Sequence, residues 1–230
     1  MKTLNNYDVM PVSHPGERHV PCVCLLDTSI SMDGAPIREL NQGMIEMGNA
    51  LLHDELARGR AELCIFTFDK DVKRIVDWTS AESYSAPSVT AKGCTSMNQA
   101  INEGLNAIAE RTEFYRDAGV QYYKPWLFLL TDGCPTDPEL TDSTRARLRG
   151  EIEAGLNFYP MAIGENADQE FLRAYYPENW KNKWVLHADE KHFKEAFVWI
   201  SQSIGKVVKA KPGQRVGMEI LPQGITVSYH

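Results

Sequence analysis

Two short stretches of this chain put acids and hydroxyls where they could hold a ligand. In "VPCVCLLDTSISMDG" an apolar run stops at Asp27 and is followed at once by Thr28, Ser29 and Ser31. In "KPWLFLLTDG" a second apolar run stops at Asp132. Between them, "KGCTS" sets Thr95 just ahead of a helix-like repeat. Two carboxylates with Ser29, Ser31 and Thr95 make a set of hard oxygen donors. Such a set suits Mg²⁺ or Mn²⁺. Zinc would call for His or Cys, and the C-x₂-C pairing is absent. A phosphate cradle also uses a hydroxyl-rich loop after a first strand, but Asp27 and Asp132 would repel an anion there. Ser29 and Ser31 are two apart, so in an extended loop tip both side chains point the same way. Their hydroxyls are neutral, so a bound cation keeps net positive charge. An open coordination position would then attract a carboxylate from a partner.

These residues act together only if the fold brings them to one edge. "VPCVCLLD" and "AELCIFTFD" are continuous apolar runs of strand length, as expected for strands buried on both faces. "VKRIVDW" is shorter and more polar and predicts an edge strand, joined to the second run by a hairpin at Asp69–Asp71. Ile37, Leu40, Met44, Met47 and Leu51 recur at helical spacing, with Pro36 suited to the first turn. Met97, Ile101, Leu105 and Ile108 mark a second helix after the Ser/Ala/Pro/Gly-rich connection 79–95. "LNFYPMAIG" and "KWVLHAD" predict further strands, alternating with helices over "DSTRARLRGEIEAG", "QEFLRAYY" and "EKHFKEAFVWISQSIGKVV". This alternation means βαβ units in an α/β fold. The expected architecture is Rossmann-like and doubly wound. Its central sheet is mostly parallel, with helices on both faces and one antiparallel edge strand. Such sheets bind ligands beyond the carboxyl ends of their strands. Asp27 and Asp132 would both sit there. The expected organisation is an N-terminal arm (1–17), a domain (18–205) and a C-terminal extension (206–230) with β-like alternation.

Composition narrows the function classes. The chain has 230 residues, 43% hydrophobic and 24% charged, enough for a full core without disulfides or structural metal. Net charge is −7, with 24 basic against 31 acidic residues and no Lys/Arg cluster. Nucleic acid and a purely electrostatic membrane anchor are therefore poor partners. No apolar stretch is long enough to span a bilayer, and the opening "MKTLNNYDVMPVSHPGERH" lacks a signal-peptide core, so the expected compartment is the cytoplasm. Of five cysteines, Cys22, Cys24 and Cys64 lie in apolar runs and behave as small hydrophobes.

Together, "DTSIS", the Thr95 of "GCTS" and "TDG" resemble the metal-ion-dependent adhesion site (MIDAS) of von Willebrand factor type A (VWA) domains. That pattern is Asp-x-Ser-x-Ser, a distant Thr, and an Asp in Thr-Asp-Gly. The resemblance covers roughly residues 18 to 205. The stretches "NQGM", "FLLTDGCPTD" and "YPMAIG" are similar to the bacterial tellurite-resistance TerY-like branch. The resemblance implies that Ser29, Ser31 and Thr95 ligate the ion, and that Asp27 and Asp132 act mostly through water or hydrogen bonds. It implies a non-enzymatic adaptor or scaffold in a tellurite or chemical-stress response system, linked to a kinase and a phosphatase. A protein partner would supply an acidic residue to the metal. One departure is visible: many family members have Gly where this chain has Ile30, so the loop must either keep φ negative there or store strain.

Each motif also has a plainer reading. "TDG" alone is a common turn, and "DTSIS" alone is a helix N-cap cluster; it is their combination with Thr95 that favours a metal. Ile30, Met32, Cys94 and Cys134 flank the motifs and are the expected partner-binding rim. Cys94 and Cys134 are either placed there by chance or are rim thiols sensitive to oxidants or soft metals. The alternative function is a Mg²⁺-dependent phosphotransferase or phosphatase of haloacid-dehalogenase type, which also has an Asp at its first strand tip. That chemistry wants a second Asp two residues on, where this chain has Ser29.

Overall fold

A computed structural model describes residues 12–165, 167–189, 193–210 and 221–228. The β-strands are β1 (Val20–Asp27), β2 (Ala61–Phe68), β3 (Val72–Ser80), β4 (Trp126–Thr131), β5 (Asn157–Ile163), β6 (Val185–Ala188) and β7 (Ile225–Ser228). The helices are α1 (Ala35–His53), α2 (Ala57–Arg60), α3 (Met97–Asp117), α4 (Thr141–Glu153), α5 (Gln169–Arg173) and α6 (Phe193–Lys209). Among the described residues the seven strands form one sheet in the order β3-β2-β1-β4-β5-β6-β7.

Strand β1 is the centre of this order. It pairs in parallel with β2 on one side and with β4 on the other. The chain therefore winds away from β1 in both directions, and the tip of β1 is the switch point where such sheets place a ligand. The alternation of side chains along β1 supplies both cores. Cys22, Cys24 and Leu26 join the cluster under α1 and α6, whereas Val23 and Leu25 join the cluster under α3 and α4. All five expected core residues of α1 and all four of α3 are buried in these clusters. Gly43 lets α1 approach α6 closely, because a Cβ there would meet the Phe197 ring.

The expected antiparallel edge strand is β3, paired with β2. A second antiparallel edge comes from β7, which pairs with β6. This corrects the expected domain division. The boundary at 205/206 falls inside α6, and residues 225–228 belong to the sheet, with Ile225 in the core. Residues 1–11 of the expected arm, and 211–220 and 229–230 of the expected extension, lie outside the described residues. Far from the carboxyl edge, Glu62 at the start of β2 is buried with Arg111, Tyr115 and His19. Its Oε2 accepts from Arg111 Nε at 2.7 Å and from the Tyr115 hydroxyl.

Candidate metal centre

The carboxyl edge of the sheet assembles the acids and hydroxyls from three loops. The β1 register places Leu26 beside Leu130, so Asp27 and Thr131 end neighbouring strands. Asp27 is fully buried. Its Oδ1 accepts the Ser29 N–H at 2.8 Å and its Oδ2 accepts the Thr131 hydroxyl at 2.6 Å. Burial pushes the Asp27 carboxyl up to about 6, against these hydrogen bonds, with the nearby Asp132 charge adding to the rise. A buried carboxylate held this way fixes the turn that follows β1.

That turn is a 3₁₀ segment, Ile30–Met32, with Ser29 in extended conformation just before it. Ser29 Oγ and Ser31 Oγ lie 3.0 Å apart, and Ser31 Oγ donates to Asp132 Oδ1 at 2.9 Å. Three oxygen-bearing side chains from two loops thus form a contact chain through Ser31. Gly34, at φ +89°, then reverses the chain into α1, with Pro36 in its first turn. Among the described residues the sole non-glycine with positive φ is His14, so Ile30 keeps a negative φ and the loop stores no strain there. The Ile30 side chain is 63% exposed.

Thr95 comes from the third loop, which leads from β3 to α3, and it is buried. Backbone bonds tie this loop to the first one: Ile30 N–H to Gly93 O at 3.2 Å and Lys92 N–H to Thr28 O at 2.7 Å. Gly93 has φ +70°, and a Cβ there would crowd the Lys70 amide. The Thr28 hydroxyl turns away and donates to Phe68 O at 3.2 Å, so it serves the β1–β2 junction. The described fold therefore carries Asp27, Ser29, Ser31, Thr95 and Asp132 on adjoining loops of one edge. Thr131, the first residue of "TDG", has no ligand part in the motif pattern yet holds the buried acid; a hydroxyl closing a strand beside such an acid is its signal in the sequence.

Of the expected rim, Ile30, Cys94 and Cys134 are exposed. Met32 is not: the 3₁₀ turn rotates it inward, and it is fully buried in the α1 core. The Cys134 thiol is pushed up by partial burial and by the Asp168 carboxylate, the opposite of what a reactive thiolate needs.

The donor set fits a hard divalent cation. Among the described residues no group of three or more His, Cys, Asp or Glu side chains is placed to hold an ion, so an ion at this edge would rely on hydroxyl and water oxygens. Asp27, with both oxygens engaged and no exposure, is poorly placed to attack an incoming phosphorus.

Neither a family model nor a curated protein matches this sequence. Solved structures do match it in shape. The pilus adhesin SpaC from Lactobacillus rhamnosus GG superposes with a TM-score of 0.66 at 12% identity, over 83% of this chain and 31% of that one. The chain thus spans under a third of the length of SpaC. The vWF domain of the type V pili tip protein Mfa5 from Porphyromonas gingivalis gives 0.64 at 11% identity, over 85% of this chain and 98% of that one. Manganese-loaded TRAP protein from Plasmodium vivax gives 0.52 at 19% identity, over 79% of this chain and 74% of that one. The chain has the fold of the von Willebrand factor type A domains.

Proposed function

We propose that this chain is a metal-dependent protein-interaction module. A Mg²⁺ or Mn²⁺ ion would be held by the Ser29, Ser31 and Thr95 hydroxyls, with Asp132 on the Ser31 hydroxyl and Asp27 fixing the loop through the Ser29 N–H and the Thr131 hydroxyl. The carrying observation is the contact chain Ser29–Ser31–Asp132 at the sheet's switch point, backed by the buried Asp27. The manganese-loaded state of TRAP supports a divalent ion in a domain of this shape. When bound, the ion supplies Lewis acidity toward a carboxylate oxygen. The chain's own part is to keep the hydroxyl shell neutral, to hold the loops still, and to leave a face open beside Ile30. An acidic side chain of a partner protein fills that face.

The module is not an enzyme in this reading. Ser29 occupies the position where a haloacid-dehalogenase-type phosphotransferase would need its acid/base, and Asp27 is sealed. The resemblance of "NQGM", "FLLTDGCPTD" and "YPMAIG" to the TerY-like branch extends the proposal to a cytoplasmic adaptor in tellurite or chemical-stress response, working beside a kinase and a phosphatase. Among the described residues no helix is long and apolar enough to cross a membrane.

The test is affinity capture with wild type and Ser29→Ala, each in Mg²⁺ and in EDTA. A partner retained in Mg²⁺ and lost with either change supports the module. A partner retained through both contradicts it. Phosphatase turnover abolished by Asp27→Asn would establish the enzymatic reading instead.

A further inference from the structure

Thr95 is the one ligand of the proposed site that lies on neither β1 nor β4 nor the loops that directly follow them, and two residues of the β4 loop outside the ligand set, Thr136 and Asp137, place it. Thr136 grips the Thr95 peptide from both sides. Its hydroxyl accepts the Thr95 N–H at 3.1 Å, and its own N–H donates to Thr95 O at 2.8 Å. The next residue, Asp137, is buried and reaches the first turn of α3. Its Oδ1 accepts the Asn98 N–H at 3.3 Å and its Oδ2 accepts the Gln99 N–H at 2.9 Å.

Those two N–H groups are orphans of a helix start, normally satisfied by the residue at the cap. Here the cap residue, Ser96, makes no side-chain capping bond. The cap is delivered in trans from the loop after β4. Asn98 completes the joint: fully buried, it donates from Nδ2 to Asp137 Oδ1 at 3.1 Å and to Thr141 Oγ1 at 3.0 Å, and accepts from the Tyr175 hydroxyl at 2.5 Å. The anionic carboxylate at the positive end of α3 strengthens the grip.

We propose that Thr136 and Asp137 are positioning residues that set Thr95 against the site carried by Asp132. The inference rests on the metal reading. Through them Thr95, two residues ahead of α3, is bonded to the loop that carries Asp132, so both would face the ion in a fixed relation.

A positioning role is separable from a structural one by a double-mutant cycle. Mn²⁺ is titrated by calorimetry into the whole chain as wild type, Thr95→Ala, Asp137→Ala and the double variant, with melting temperatures measured alongside. Asp137→Ala should weaken Mn²⁺ binding about 10- to 100-fold, as loss of a supporting partner does. The double variant should bind no more weakly than Thr95→Ala alone, and Asp137→Asn, which keeps one acceptor, should recover part of the loss. If Asp137→Ala does not fold, Thr136→Val carries the same cycle, since it deletes only the hydroxyl that holds the Thr95 N–H. Losses that add, or an Asp137→Ala affinity equal to wild type while Thr95→Ala is weakened, overturn the inference and leave the metal reading standing. An unchanged affinity in Thr95→Ala overturns both.

Discussion

The Ser31 hydroxyl donates to the Asp132 carboxylate at 2.9 Å across 101 positions of sequence. The contact exists because β1 and β4 are parallel neighbours whose tips end together, although β2, β3 and α3 intervene in the chain. It joins two loops through groups that would otherwise compete for water.

Thr131 should matter as much as the ligands. Thr131→Val removes the hydroxyl that holds Asp27 Oδ2 at 2.6 Å. Metal affinity should fall about 10- to 100-fold. Stability should fall by about 1–3 kcal/mol, because a buried acceptor loses its donor. Calorimetry and denaturant melts check the two effects separately.

The raised Asp27 carboxyl, at about 6, makes a pH prediction with a definite sign. In the fold the proton is held more tightly than in the unfolded chain. The group therefore adds stability below the unfolded value, near 3.8, and that contribution is lost as pH rises through about 6. In chelator at pH 8, Asp27→Asn should melt higher than wild type, and the gap should close toward pH 4. With metal present the order should reverse at pH 8, since the negative charge of Asp27 behind the hydroxyl shell favours the bound cation. Melting curves at the two pH values, with and without Mg²⁺, read this out.

Arg111 provides a contrast far from the site. Arg111→Ala leaves Glu62 buried and without its main counter-charge, and should cost about 3–5 kcal/mol. The folded fraction should bind metal as wild type does. A parallel change in metal affinity would show that the two ends of the sheet are coupled.

The β7 edge can be tested in the same way. Ile225 is buried in the core formed by α1 and α6. Ile225→Ala should destabilise by about 2–4 kcal/mol, in the range of a truncated buried Ile. An effect near zero in denaturant melts would return the C-terminal segment to the status of an appendage.

Much of this fold is legible in sequence because buried parallel strands are unbroken apolar runs and the amphipathic helices repeat Ile, Leu and Met at helical spacing. Asp27 and Asp132 are legible because each ends such a run. Strand β7 is legible only as β-like alternation, and its place in the sheet comes from pairing with β6, which nothing local in the sequence records. Met32 departs from the expected rim because a 3₁₀ turn has about three residues per turn, so Ile30 and Met32, which would share a face in an extended tip, point apart. Thr136 and Asp137 escape sequence reading for a different reason. Thr136 holds Thr95 and Asp137 caps the helix that follows it, about 40 residues earlier in the chain, and nothing local in "CPTDP" records those partners.

The central claim is that Ser29, Ser31, Thr95, Asp27 and Asp132 hold one divalent cation. The most direct test is calorimetric titration of Mg²⁺ and then Mn²⁺ into wild type and Asp132→Ala. Saturable single-site binding is expected in wild type and absent from a variant that still folds. Identical heats in the two proteins, or no saturable binding by wild type at millimolar metal, would contradict it.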